Sequence, residues 1–139
     1  MKLNKWIVNN IDDIDEFSKT TLKIRLNDIE EKVNDYLSES TEEKLHQVRI
    51  SIRRLRYSIE IFFVHFKQKN YKRFYKKIEE LQESTGEIRD LDVIKNIIQN
   101  DTIGESINHK REILEKEMVE DLKKFLKSKL YKNFLKIIE

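Results

Sequence analysis

The chain has 139 residues, 39% of them charged, and a formal net charge of +2, so any argument for a polyanion partner rests on where the charges sit and not on their sum. It has no cysteine, which excludes disulfides and thiolate metal sites, and no apolar run near the ~18 residues that a membrane span needs. The absence of proline and the presence of only two glycines, Gly86 and Gly104, suit long helices joined by few breaks, read here as one domain over residues 1–139.

In chain order, "MKLNKWIVNNIDDIDEF" turns acidic after a short apolar patch and lacks the h-region of a signal peptide, so the reading is a soluble, cytoplasmic protein. A first helix is expected over about residues 11–37, where Leu22, Leu26, Ile29, Val33 and Tyr36 recur at three- and four-residue steps. "SEST", residues 38–41, breaks it, and Ser40 or Thr41 can cap the next helix. That second helix runs from about Glu42 to His65 or Lys67, with Leu45, Val48, Ile52, Leu55, Ile59, Phe62, Phe63 and Phe66 on its apolar face. "KQKN", residues 67–70, is a weak polar break, and a third helix carrying Phe74, Ile78 and Leu81 follows. Gly86 is expected to end it, because glycine occupies the left-handed position after a helix at little cost. "RDLDVIKNIIQ", residues 89–99, is then a separate short segment capped by Asp90, and "NDTIGES", residues 100–106, a loop. A segment over about 107–127 aligns Ile107, Leu114, Met118, Leu122 and Phe125, and "SKLYKNFLKIIE" ends the sequence as a short apolar helix. The expected fold class is all-α, an antiparallel bundle of four to six helices, since short connections force neighbouring helices to run antiparallel.

The second helix has two faces. At about 100° per residue, Val48, Ile52, Leu55, Ile59 and Phe66 share one side, and His46, Arg49, Arg53, Arg56 and Glu60 form a neighbouring stripe. Arg54 lies off both, toward solvent. A charge run of this kind is usually a solvated face. Three features point beyond that. A chain that otherwise prefers lysine places four arginines in residues 49–56, and arginine's planar fork binds phosphate oxygens bidentately. Arg49, Arg53 and Arg56 sit one turn apart and repel one another unless an anion lies between them. Glu60 is the only acidic residue on the stripe. His46, near the helix start, can donate to a phosphate oxygen. His65 and His109 are distant in sequence and no HxxxH or HxxE pair exists, so no metal site and no cofactor are expected.

These residues resemble the CHAD family, the conserved-histidine α-helical domain. "HQVRISIRRLR", residues 46–56, is similar to the family's H-x-x-R-V-x-x-R-R-L-R segment, and "GEIRDLDV", residues 86–93, to its L-G-x-x-R-D-L-D-V segment, in the same order. The resemblance spans about residues 10–138 and implies an all-helical domain that binds inorganic polyphosphate without catalysis. It implies a binding groove lined by His46, Arg49, Arg53, Arg54 and Arg56 from the first motif and by Arg89 from the second. Asp90 and Asp92 are read as residues that cap a helix, form a salt bridge, or orient an arginine of the stripe. The sequence departs from the family in two ways. Most members contain two helical halves, each with a basic motif, whereas nothing after residue 94 repeats H-x-x-R here. The third helix carries Glu79 where the family often has a basic residue.

The leading expectation is therefore a non-catalytic polyphosphate-binding module in the cytoplasm, in association with polyphosphate granules where these form. The alternatives are binding of nucleic acid or another phosphorylated anion, or a helical oligomerisation unit with no anion ligand. Nucleic acid is disfavoured by the near-neutral charge and the lack of a groove-reading element. A phosphohydrolase or kinase would need a metal-holding carboxylate cluster or a phosphate loop, and the sequence has no G-x-x-x-x-G-K-[ST] and no E-x-E-x-K strand motif. The missing second half suggests a homodimer, and "FFVHF" and "LYKNFLKII" hold more large apolar side chains than one small bundle is expected to need.

Overall fold

A computed structural model describes residues 11–66 and 68–139, which form five α-helices. Helix α1 is Ile11–Ser38, α2 Glu42–Phe62, α3 Lys69–Ile97, α4 Asp101–Leu126 and α5 Lys129–Ile137. The N-terminal stretch read for a signal peptide lies largely outside the described residues, as does Lys67, the outer limit expected for the second helix. Connections of a few residues make α1–α4 run alternately up and down, α2 packing between α1 and α3, and α3 between α2 and α4. No helix among the described residues is long and apolar enough to cross a membrane.

The periodic apolar residues build the core. Leu22, Leu26, Ile29, Val33 and Tyr36 of α1 meet Leu45, Val48, Ile52, Leu55 and Ile59 of α2, all fully buried. The α2 N-terminus is fixed by Thr41, whose hydroxyl accepts from the Lys44 amide at 3.2 Å, with Glu42 and Glu43 in the first turn complementing the helix dipole. Its C-terminus comes at Phe62, a turn earlier than the apolar pattern implies. The chain bends there so that Phe66 can swing back and stack on Tyr71, 5.3 Å between ring centroids.

Two expected breaks are absent. Gly86 does not end a helix: it lies inside α3, is buried, and has no positive φ. The segment 89–99 continues α3 as far as Ile97, and Asp90 is an exposed mid-helix residue, not a cap. A single helical glycine costs only about 1 kcal/mol relative to alanine. Burial of Leu81, Ile88 and the chain on either side easily exceeds that. The expected loop at 100–106 shrinks to residues 98–100, because Asn100 accepts from the Ile103 amide at 3.1 Å and starts α4 at once.

The short α5 is nine residues long, below the length at which an isolated helix is stable. Aromatic burial holds it. Phe134 stacks on Phe74 at 3.8 Å between centroids, Tyr71 lies 5.6 Å from the same Phe134, and Tyr131 meets Phe125 edge-on at 5.4 Å. Each such ring contributes roughly 1.5–3 kcal/mol. The Tyr71 hydroxyl donates to the Ile59 carbonyl at 2.7 Å, and that of Tyr131 to Glu30 of α1. Phe62, Phe66, Tyr131, Phe134 and Ile138 are thus buried within one chain. The supposed apolar surplus of "FFVHF" and "LYKNFLKII" is mostly core, which removes that ground for a homodimer.

Candidate functional site

On α2, the residues that turn toward α1 and the core are apolar or small, so the arginines are left on the flank facing α3 and on the outer surface. Arg49 is half-buried, and its guanidinium lies against α3 at Gly86. A Cβ built on Gly86 would stand 3.6 Å from Arg49 Nη2 and 3.7 Å from Nε. The planar group thus lies over the α3 backbone at Gly86, at a distance that an added Cβ would meet in ordinary van der Waals contact. Arg89, about one turn further along α3, is half-buried. Arg53 and Arg54 are exposed. None of Arg49, Arg53, Arg54 and Arg89 has an ion pair among the described residues, so their charge is not neutralised within the fold.

Arg56 differs. Its Nε donates to Glu60 Oε1 at 3.2 Å and to the Tyr75 hydroxyl at 3.4 Å, its Nη1 donates to Gln82 Oε1 at 3.2 Å, and its Nη2 lies 3.7 Å from Glu79 Oε2. The Tyr75 hydroxyl in turn donates to Glu60 at 2.5 Å. Its hydrogen bond with Tyr75, and then the two carboxylates, raise the Arg56 pKa against the opposing effect of burial. The stripe has one acidic residue on its own helix, but the fold adds Glu79 from α3. Arg56 thus begins with its charge balanced, while Arg49 and Arg53 do not.

His46 is half-buried at the start of the stripe. Its Nδ1 is shielded from solvent and has no hydrogen-bond partner among the described residues. His65 is a separate feature: its Nε2 lies 3.0 Å from Asp15 Oδ1, tying the end of α2 to α1, and this contact, with Lys19, lowers the Asp15 pKa. No group of three or more histidines and carboxylates among the described residues is placed to hold a metal ion.

Asp92 belongs to another network. It is buried, 1% exposed, and accepts from Arg111 Nε at 2.5 Å and Nη2 at 3.4 Å. Arg111 also donates to Glu115, which accepts from the Tyr36 hydroxyl at 2.7 Å. Burial works against the charge on Arg111, yet Asp92 and Glu115 more than offset it and raise its pKa. The aspartate expected to orient an arginine of the stripe instead orients Arg111 of α4. Only the Arg111–Glu115 spacing of four residues is visible in sequence. The link to Asp92 crosses the α3–α4 turn and has no periodic signature.

A shallow groove between α2 and α3 is lined by Arg49 and Arg56 on one wall and by Glu79, Glu83, Glu87 and Asp90 on the other. Glu83 and Glu87 do not figure among the sequence-derived candidates, because helical spacing on α3 does not say which neighbour they face. The site is thus a basic ridge on α2 beside an acidic ridge on α3.

A scan against protein-family models matches residues 2–99 to the CHAD domain. The match covers α1–α3, including both motifs, and stops short of α4 and α5, so it is narrower than the extent of 10–138 expected from the sequence. Searches of curated proteins and of solved structures returned no match. With well over half of its length matched, and with both motifs on adjoining helices of an all-α bundle, the chain belongs to the CHAD domain family.

Proposed function

We propose that the chain is a non-catalytic module that binds inorganic polyphosphate along the α2 ridge. The observation that carries this reading is the un-neutralised positive charge on that ridge: Arg49, Arg53 and Arg54, like Arg89 of α3, have no ion pair among the described residues. Arg49 and Arg53 are one turn apart, about 6 Å along the helix, a distance that a linear phosphate chain spans in two phosphates. His46 adds, at one end, a ring whose shielded nitrogen has no partner among the described residues. Membership of the CHAD family supports the ligand class. The non-catalytic part rests on the sequence, which has no phosphate-cradling glycine loop.

The test is a titration with long-chain inorganic polyphosphate at about 50 mM and about 200 mM salt. Several phosphate contacts require that affinity fall by at least about tenfold over that range, by analogy with counterion release from nucleic acids. An affinity independent of salt, or no binding at low salt, overturns the reading. Release of phosphate in the presence of magnesium or manganese would overturn its non-catalytic part.

A further inference from the structure

The acidic wall of the groove has no role in gripping an anion, yet it stands beside the ridge proposed to do so. Glu79, Glu83, Glu87 and Asp90 follow one another along the exposed side of α3, at spacings of four, four and three residues. Glu79 is partly spent on Arg56. Glu83, Glu87 and Asp90 have no ion pair among the described residues and carry their charge uncompensated. Past α3 the next groove, between α3 and α4, is also mainly acidic, lined by Glu87, Glu117, Glu120 and Asp121 with Lys124 among them, although Asp121 is paired with Lys77 of α3 at 2.8 Å. From α2 outward across α3, the surface therefore changes sign within a single helix spacing.

Resting on the polyphosphate reading, we propose that this carboxylate ridge is the specificity determinant of the site: it admits a narrow, single-file phosphate chain and rejects broader polyanions such as duplex nucleic acid. Packed helices stand about 8–10 Å apart, which is close to the screening length at physiological salt. A single phosphate chain seated on α2 stays within that strip. A duplex, whose two grooves alone measure about 12 and 6 Å across, spreads its phosphates over α3 as well and meets like charge. Discrimination then comes from repulsion of the wrong ligand, not from extra contacts to the right one.

The test compares three proteins: wild type, a ridge variant (Glu83→Gln, Glu87→Gln, Asp90→Asn) and a charge control. The control carries Asp13→Asn, Glu16→Gln and Glu31→Gln, exposed positions on α1 that change net charge by the same amount. Glu79 is left in place because it holds Arg56. Dissociation constants are measured at one salt concentration for long-chain inorganic polyphosphate and for a short DNA duplex. The proposal expects duplex affinity to rise at least about tenfold in the ridge variant and polyphosphate affinity to rise less than about threefold, with the control near wild type. An equal gain for both ligands, no gain for the duplex, or the same gain in the control overturns it. Failure of the wild type to bind polyphosphate defeats the functional reading instead, and the duplex arm still decides whether the ridge repels a broad polyanion.

Discussion

Replacing Arg111 with methionine keeps much of the side chain's apolar stem while removing the only group that hydrogen-bonds the Asp92 carboxylate among the described residues. Asp92 is 1% exposed, so water cannot replace the lost donors without local opening. Removing one partner of a buried ion pair costs about 3–5 kcal/mol, because the remaining charge stays desolvated. Set against a total stability of about 5–15 kcal/mol, this is a large fraction, and it corresponds to a fall in Tm of about 10–20 °C for a domain of this size. Glu115 loses a donor too but keeps the Tyr36 hydroxyl, so Asp92 dominates the penalty. Urea unfolding followed by far-ultraviolet circular dichroism measures it. The Asp92→Asn, Arg111→Met double variant should recover most of the loss, since an amide is far cheaper to bury than a carboxylate. Because Arg111 is on α4 and is bonded to Asp92 and Glu115, not to any arginine of the α2 ridge, polyphosphate affinity of the folded single variant should stay within about threefold of wild type. A cost below about 1 kcal/mol, or no recovery in the double variant, would refute the assignment of Asp92 as a buried charge dependent on Arg111.

Gly86→Ala should stabilise the domain by up to about 1 kcal/mol in the same urea assay, because the added Cβ meets Arg49 only at ordinary contact distance and alanine favours the helix; a loss of stability would show that the site is tighter than described. Arg53→Glu should abolish polyphosphate binding while leaving Tm near wild type, whereas Ile52→Glu, at a fully buried position, should unfold the domain, and the reverse pattern in circular dichroism and binding would invert the face assignment of α2. Burial, first of all, raises the phenol pKa values of Tyr36, Tyr71 and Tyr131 above the ordinary 10.0. A raised folded-state pKa gives stability that is complete below the unfolded value and is lost above it, so the unfolding free energy should hold to about pH 10 and then fall by about 1.4 kcal/mol per pH unit for each phenol; an unfolding free energy flat to pH 11 would count against these burials.

Much of the fold is legible in the sequence because burial imposes a helical period. The apolar series of α1 and α2 and the cap at Thr41 follow from side-chain spacing and from backbone hydrogen bonding alone. The basic stripe is legible for the same reason: once Val48, Ile52, Leu55 and Ile59 fix the inward side, the orientation of Arg49, Arg53 and Arg56 is determined. The helix ends are less so. A glycine in sequence does not reveal whether it sits in a left-handed turn or inside a helix, and Gly86 lies inside α3 with Arg49 of another helix against it.

What only the tertiary structure decided are the relations between helices, because contacts between residues far apart in sequence have no period to betray them. Packing α2 against α3 sets Glu79 against Arg56 and places a carboxylate ridge beside the arginines, which local spacing on either helix leaves open. The close return at 98–100 brings Arg111 onto Asp92. The docking of α5 turns the aromatic residues of two distant segments into one core, where each alone reads as surplus surface. The sequence by itself determined which side of each helix is apolar and which is charged, since that depends on the chain's own periodicity. Which charges meet depended on how the faces were brought together, and Coulomb interactions at a few ångströms are too sensitive to that placement to be read along one strand of residues.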